Sequence, residues 1–301
     1  MKITDIHVHT VKKRIPIKNG NPMKPESHYI AEPDEIRRTL EAQGITHAVL
    51  MSGGESEAQT SHHLGAFNDD CQRICAEHPG FFSWMCNPDT GNPETVYERL
   101  SALKHAGAVG VGELMTNEWL DSPFLSAVFD AAERLSMPVL CHMSPKPGFS
   151  YGVCDHAGLP LLEQVLRNHP DLIYIGHSQT FWTEISSGTA QMTVHERNGF
   201  GKGPVLSGGR VEALMDQYPN LYADLSAYSG SCAVMRDRDY GIHFLNKFRD
   251  RLMFGTDTTN QYTVFPLLEY LKQLCADGKI TEDTLRLIME ENAQRILGVT
   301  K

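Results

Sequence analysis

The chain has 301 residues, of which 41% are hydrophobic and 21% are charged, and its formal net charge is −10 at pH 7. This composition is typical of a globular protein with a large core and argues against a disordered chain. The negative charge, with no basic run longer than Lys12 to Arg14, argues against a surface for nucleic acid or anionic membrane. We therefore expect a small-molecule substrate and neither a nucleic-acid nor a membrane partner.

Cysteine usage and the amino-terminal segment indicate the compartment. The seven cysteines are scattered and form no C-x-x-C pair, a pattern typical of reduced thiols in a cytosolic protein. The chain passes from Met1 and Lys2 directly into a strand-like segment, and no apolar stretch reaches about 18 residues. The sequence thus predicts a cytoplasmic protein without a membrane span.

Short apolar runs bounded by turn residues recur along the chain. In chain order they are ITDIHVH, ITHAVLMSG, FFSWMCNP, AVGVGELM, MPVLCHMS, LIYIGHSQ, LYADLSAY and RLMFGTDT. Amphipathic segments of helical period lie between many of them, among them PDEIRRTLEAQG, SPFLSAVFDAAERL and GLPLLEQVLRNHP. Alternating strands and helices, spaced by about 35 residues, predict parallel strands joined by helical crossovers. The sequence therefore predicts an α/β fold, a single (β/α)8 TIM barrel over residues 1–301, with a long loop from about Thr180 to Ser207.

Polar side chains of metal-ligand type stand at the ends of these predicted strands. They are His7, His9, Glu113, His142, His177 and Asp257. In a strand, residues two apart share a face, so His7 and His9 are expected on one face, with Ile6 and Val8 on the other. The carboxyl-terminal ends of barrel strands meet at one face, where a cation would offset the cost of burying so many polar groups. Nitrogen and carboxylate ligands without thiolate favour a catalytic divalent ion such as zinc.

The same motifs, in the same order, resemble those of the amidohydrolase superfamily. The matching stretches are D-I-H-V-H, G-E, C-H-M, G-H-S, F-G-T-D and the closing ENAQRILG. The last resembles the closing helix of the amidohydrolase-related branch that contains aminocarboxymuconate semialdehyde decarboxylase. The resemblance covers essentially the full chain.

The resemblance implies roles for individual residues. It implies His7, His9, His142 and Asp257 as the ligands of a single ion, most often Zn²⁺ with Mn²⁺ as the alternative, and favours one ion over two. His177 matches the histidine that polarises substrate or activates water. Glu113 stands where binuclear relatives carry a bridging carboxylate, so we leave it open as a ligand, a partner of a ligand or a substrate-binding group. Asp224 is open too, as a partner of a ligand or an ordinary hydrogen-bonded aspartate.

These residues predict a metal-dependent hydrolase that acts on a small, carboxylated amide, lactone or ester. Asp257 would take a proton from a metal-activated water and pass it to the leaving group, while His177 would hydrogen-bond the substrate carbonyl. The same ligands suit a decarboxylase or a hydratase of this branch. A binuclear phosphoesterase and a non-catalytic metal-binding barrel are weaker alternatives.

Loops after the strands would supply substrate contacts, because an anionic substrate favours cations as a clamp. The predicted substrate-binding residues are Lys146, Tyr151, Trp182, Arg197 and Arg210. Further candidates for this role are His195, Lys202, Arg236 and the pair His62 and His63. The branch resemblance also implies a possible homodimer.

Overall fold

The computed structural model describes residues 1–17, 25–55, 65–88 and 91–299. His62 and His63 therefore lie outside the described residues. The strands, in chain order, are β1 (Thr4–Val8), β2 (Ile15–Pro16), β3 (Tyr29–Ile30), β4 (His47–Met51), β5 (Phe82–Met85), β6 (Val111–Leu114), β7 (Val139–Ser144), β8 (Val153–Cys154), β9 (Tyr174–His177), β10 (Leu221–Asp224) and β11 (Leu252–Met253).

Helices follow most of these strands. They are α1 (Pro33–Glu41), α2 (Asn68–Glu77), α3 (Val96–His105), α4 (Pro123–Arg134), α5 (Pro160–Asn168), α6 (Gln179–Thr183), α7 (Val194–Arg197), α8 (Arg210–Gln217), α9 (Ala227–Met235), α10 (Arg238–Lys247), α11 (Leu267–Ala276), α12 (Glu282–Arg286) and α13 (Asn292–Leu297). Short 3-10 turns span Pro25–Ser27, Pro93–Thr95 and Thr189–Gln191, and a π-helical turn spans Leu287–Glu291. In the part of the chain that the structure describes, no helix is both long enough and apolar enough to cross a membrane.

The parallel strands form a closed cylinder. One sheet has the order β1-β4-β5 and a second the order β11-β10-β9-β7-β6. Parallel bridges join the two sheets, Cys86 to Val111 at one seam and Val8 to Thr258 at the other. Eight parallel strands therefore close on themselves, which confirms the predicted (β/α)8 barrel, and β8 pairs alongside β7 outside this order.

Local sequence explains why the helices begin where they do. Ser122 accepts a hydrogen bond from the backbone N–H of Leu125 at 3.2 Å, and Pro123 follows it at the first position of α4. The buried face of α4 includes Phe124 and Phe129, so its apolar stripe faces the sheet. Because each such helix packs against the outside of the cylinder, the strand ends stay free to carry the site.

The apolar residues form two clusters. The smaller fills the interior of the barrel with Ile6, Leu140, Ile175 and Met253, among others, and the carboxyl-terminal residues Ala293, Leu297 and Val299 pack onto it. The larger lies between strands and helices and contains Val8. The prediction that Ile6 and Val8 share one face is therefore wrong, because the β1 register shifts between Asp5 and Val8.

The segment after β9 is more ordered than the predicted long loop. It contains α6, the turn Thr189–Gln191 and α7. Glu184 accepts hydrogen bonds from Thr189 Oγ1 at 2.7 Å and from the backbone N–H of Gly158 at 3.0 Å. The segment is thus tied to the neighbouring connection of the barrel, on the face that carries the site.

Candidate metal centre

The six side chains predicted at the strand ends come together at one end of the barrel. His7 lies in β1 and His9 directly after it, Glu113 lies in β6, His142 in β7, and His177 ends β9. Asp257 follows β11, and its backbone N–H donates to the carbonyl of His7 at 2.8 Å. All are buried except Asp257, whose side chain keeps 30% of its surface exposed. Asp257 therefore faces the opening of the site.

Four ligand atoms form a cage of the size that one divalent cation requires. The Nε2 atoms of His7 and His9 are 3.1 Å apart, and each lies 3.4 Å from Oε2 of Glu113. Asp257 Oδ1 is 3.2 Å from His9 Nε2 and 3.7 Å from His7 Nε2. Ligands about 2.0–2.1 Å from a tetrahedral zinc ion stand about 3.3–3.4 Å apart. Both the donor chemistry and these spacings fit a divalent metal site.

Glu113 connects this cage to two further histidines through its other oxygen. Its Oε1 lies 2.7 Å from His142 Nδ1 and 3.6 Å from His177 Nε2. Glu113, His142 and His177 also have ligand atoms close enough to share an ion. The 2.7 Å separation is a hydrogen-bond distance, so Glu113 faces the cage with one oxygen and contacts His142 with the other, and the role of His142 as a ligand stays a prediction.

Asp224, at the end of β10, orients two of the histidines at once. Its Oδ2 accepts from Nδ1 of His7 at 2.7 Å, and Nδ1 of His177 lies 3.0 Å from the same oxygen. Ser226 donates to the same oxygen at 2.6 Å and its backbone N–H binds Oδ1 at 2.8 Å. Because Asp224 holds Nδ1, Nε2 of His7 is the nitrogen that faces the cage, and it can bind a cation once its proton is released. Of the two interpretations left open from sequence, this contact favours Asp224 as the partner of a candidate ligand.

Ser226 was missed by the sequence reasoning. Its position two residues after Asp224, in LYADLSAY, was the available signal, but a serine there is typical of an ordinary helix start. In the structure its hydroxyl also lies 3.3 Å from His7 Nδ1 and 3.2 Å from His177 Nδ1.

The site's charges stabilise one another. Burial alone raises the pKa of Glu113, but His7 and His142 outweigh that effect and hold the pKa well below its usual value. Burial lowers the pKa of His7, yet the carboxylates of Glu113 and Asp257 raise it well above normal. For Asp224, burial is likewise outweighed by the hydrogen bonds from His177 and His7, which lower the pKa. The carboxylates are therefore ionised at neutral pH, as ligands and hydrogen-bond acceptors must be.

Two of the predicted substrate-binding residues lie beside the strand end of His142. The ring of Tyr151 packs on the ring of His142 with centroids 4.3 Å apart, and burial together with Glu113 and Asp257 raises its pKa. Gly152 holds this turn with a φ of +111°, and a Cβ there would meet the carbonyl oxygen of His142 at 2.6 Å. Lys146 is exposed just after β7.

The other three residues predicted as substrate contacts make hydrogen bonds within the protein. Trp182 is buried and donates through its indole N–H to the carbonyl of Asp224 at 3.0 Å. Arg197 is also buried and donates to the carbonyl of Asp155 at 3.1 Å, close to Glu184. Arg210 donates to the carbonyl of Gly158 at 2.8 Å and pairs with Glu163. These hydrogen bonds fix the position of each side chain, and the role of all three in substrate binding stays a prediction.

Comparison with known proteins gives a family match and several similar folds. The family model described as Amidohydrolase matches residues 4–299. No curated protein matches the chain. The structure is similar to an uncharacterised TIM-barrel protein from Bordetella bronchiseptica, with 17% identity, 99% of each chain covered and a TM-score of 0.64.

Two similar structures belong to proteins with stated activities. One is 5-carboxyvanillate decarboxylase from Novosphingobium aromaticivorans, complexed with manganese, with 13% identity, 99% of this chain and 96% of that chain covered, and a TM-score of 0.63. The other is a probable 2-pyrone-4,6-dicarboxylic acid hydrolase from Acinetobacter baumannii with citric acid bound, with 16% identity, 99% and 100% covered, and a TM-score of 0.58. At identities of 13–17%, the similarity to these structures concerns the fold alone.

Proposed function

The chain belongs to the amidohydrolase family and is a metal-dependent enzyme, and from this premise we propose that it hydrolyses an amide, lactone or ester bond in a small, carboxylated molecule. The observation that carries the proposal is a pair of separately held proton carriers, Asp257 and His177, around one metal cage. Hydrolysis removes a proton from water and delivers one to the leaving group, and Asp257 can do both while His177 donates to the substrate oxygen. Decarboxylation consumes no water and delivers one proton to carbon.

Asp257 is placed to take the first proton. Its Oδ1 is 3.2 Å from His9 Nε2, and it is the one carboxylate of the cage that reaches the opening. Its depressed pKa, which His7 and His9 lower against the effect of burial, keeps it ionised before the reaction. A carboxylate in this position removes a proton from water and can return it to the departing nitrogen or oxygen.

His177 is the second carrier. Its Nδ1 lies 3.0 Å from Oδ2 of Asp224 and its Nε2 lies 3.6 Å from Oε1 of Glu113, so Nε2 faces the cage. Once protonated, Nε2 is a donor for the negative charge that develops on a carbonyl oxygen.

The proposed cation is a single zinc ion, or manganese, held by His7, His9, Glu113 and Asp257, with His142 beside Glu113. When bound, a divalent ion here supplies a Lewis acid that lowers the pKa of water and stabilises negative charge on a substrate oxygen. In the net reaction, water adds across the carbonyl–heteroatom bond, that bond breaks, and an acid and an amine or alcohol leave. Tyr151 and Lys146, at the rim of the site, are the proposed contacts for the substrate body and its carboxylate.

Decarboxylation is the second candidate function. It is supported by the similarity to 5-carboxyvanillate decarboxylase, a manganese complex that covers nearly the same chain length. By the same criterion of structural similarity, the probable 2-pyrone-4,6-dicarboxylic acid hydrolase supports the hydrolytic reaction equally. One protonated carrier at His177 would suffice to protonate the carbon that loses carbon dioxide.

The experiment is a paired product assay on metal-loaded enzyme. A panel of carboxylated lactones, esters and amides, together with hydroxylated aromatic carboxylates, is assayed for released acid and for released carbon dioxide. We expect acid release, reduced about 100-fold or more in kcat by Asp257→Asn. Lys146→Ala is the control, expected to raise KM for carboxylated substrates while leaving kcat intact. Carbon dioxide release without hydrolysis would replace the proposal with decarboxylation.

A further inference from the structure

A cavity separate from the metal cage lies under the connection after β9. Its volume is about 430 Å³, and its walls include Met192, His195, Phe200 and Lys202. A small recess continues from it, with Thr183, Gly199, Phe200 and Gly201 common to both spaces, and has room of about 10 Å³. The residues of the metal cage line neither space. The cavity is therefore a second concave site on the same face of the barrel.

Two residues that line the recess each carry a side-chain polar atom with no hydrogen-bond partner within the described residues. These atoms are Nε of Arg236 and Oγ of Ser229, and Ser229 is only 4% exposed. A buried polar group without a partner costs about 1–3 kcal/mol, so such atoms point to a ligand or an ordered water. Both atoms can donate a hydrogen bond, which makes the recess complementary to an acceptor.

The charge on Arg236 is also unmatched locally. In the described ranges no carboxylate oxygen lies within 4.0 Å of its guanidinium nitrogens. Its neighbour Asp237 is instead occupied by the backbone N–H groups of Val205 at 3.0 Å and Tyr240 at 3.2 Å. The one acidic residue of the larger cavity, Glu196, accepts hydrogen bonds from Thr193. The cavity thus offers Arg236 and Lys202 to an anion.

The recess is held in shape by contacts from both sides. Thr183 Oγ1 donates to the carbonyl of Gly199 at 3.2 Å, and Cys232 Sγ lies 3.5 Å from the carbonyl of Gly201. Gly201 lies directly against the guanidinium, since a Cβ there would overlap Arg236 Nη1 at 1.0 Å. A side chain at position 201 would therefore displace the guanidinium from its present position.

We propose that this cavity binds a small carboxylate with an apolar body, independently of the metal cage. One carboxylate oxygen enters the recess and accepts from Arg236 Nε and Ser229 Oγ, since about 10–15 Å³ holds one oxygen-sized group. Lys202 faces the charge from the larger cavity, and the apolar body lies against Met192 and Phe200, which are 36% and 46% exposed. Trp182 lines the recess and donates to the carbonyl of Asp224, so the bound ligand lies one side chain away from the metal centre.

The test is calorimetric titration of benzoate into the full chain before and after removal of metal by chelation, with benzamide and inorganic phosphate as comparison probes. Benzoate bound at the metal cage is lost on chelation, whereas benzoate in the proposed cavity remains. Three variants define the site. Ser229→Ala removes a hydroxyl with no protein partner and is expected to fold normally, Gly201→Ala displaces the guanidinium, and Arg236→Gln removes its charge.

We expect one metal-independent benzoate site, weakened at least tenfold by Arg236→Gln and by Gly201→Ala and severalfold by Ser229→Ala. Benzamide and phosphate are expected not to compete, because one lacks the charge and the other lacks the apolar body. Loss of all benzoate binding on chelation would overturn the proposal. Binding that is unchanged in Ser229→Ala and Gly201→Ala would do the same, and would assign the recess to water alone.

Discussion

Replacing Asp224 with asparagine tests how the protein orients its metal ligands. Oδ2 of Asp224 lies 2.7 Å from Nδ1 of His7 and 3.0 Å from Nδ1 of His177. Oδ1 accepts a hydrogen bond from the backbone N–H of Ser226 at 2.8 Å. Both oxygens therefore serve as acceptors. In Asp224→Asn the amide NH₂ must face one of these donors, whichever way the amide is turned.

The magnitude follows from which donors lose their acceptor. If the amide oxygen faces the two histidines, the hydrogen bond from the Ser226 N–H and the negative charge at position 224 are lost. We then expect about a tenfold loss of metal affinity. If the NH₂ faces the histidines, their orientation is lost and the effect reaches about 100-fold, equivalent to about 2.7 kcal/mol. Folding stability should fall by about 1.5–3 kcal/mol, because a hydrogen bond to a buried charge is lost.

The assay is competition with a metal chelator of known affinity, together with urea unfolding of the metal-free protein. Glu184→Gln is the matched control, since Glu184 is 1% exposed and accepts from Gly158 and Thr189 away from the cage. It should lose stability to a similar degree and keep its metal affinity. If Asp224→Asn binds metal as tightly as the wild type, the role assigned to Asp224 is refuted.

Three further changes test the surroundings of the site. Trp182→Phe removes the indole N–H that binds the Asp224 carbonyl and should cost about 1 kcal/mol of stability with a severalfold loss of activity; unchanged unfolding and activity would contradict this. Gly152→Ala should lower the unfolding temperature more than Gly148→Ala, because both positions have positive φ but a Cβ at Gly148 meets no atom within 4 Å. Burial raises the pKa of the Asp155 carboxyl to about 6 in the folded protein, so folding favours its protonated form. The stability that this pKa shift contributes is fully present below about pH 4 and is lost as the pH rises through 6. Urea unfolding should therefore show Asp155→Asn gaining stability relative to wild type between pH 4 and pH 7, by up to about 3 kcal/mol, and a pH-independent difference would exclude this.

Sequence alone predicts the barrel because its signals are local. Each of the eight apolar runs contains a barrel strand, and the helix in SPFLSAVFDAAERL begins at its serine and proline as the capping pattern requires. The placement of Ile6 and Val8 was wrong because a register shift within β1 depends on pairing with its neighbour, which strict alternation cannot represent.

For the site, the sequence identifies ligand types but not their partners. Residues such as His142 and Glu113 stand out because they interrupt buried runs, whereas the hydrogen bond between them depends on side-chain conformations. Arg197 and Trp182 are predicted as substrate contacts because both lie in the segment after β9, on the face that carries the site. Here tertiary contacts bury both, and nothing in the local pattern distinguishes a buried arginine from a solvated one.

Elemental analysis of wild type and of Glu113→Gln measures the metal content per chain and so tests whether Glu113 helps to hold a single ion. We expect one zinc or manganese ion per chain in the wild type. We expect far less than one in Glu113→Gln, because Oε2 of Glu113 is 3.4 Å from both cage histidines. Two ions per chain, or a full complement in Glu113→Gln, would contradict a single ion held by His7, His9, Glu113 and Asp257.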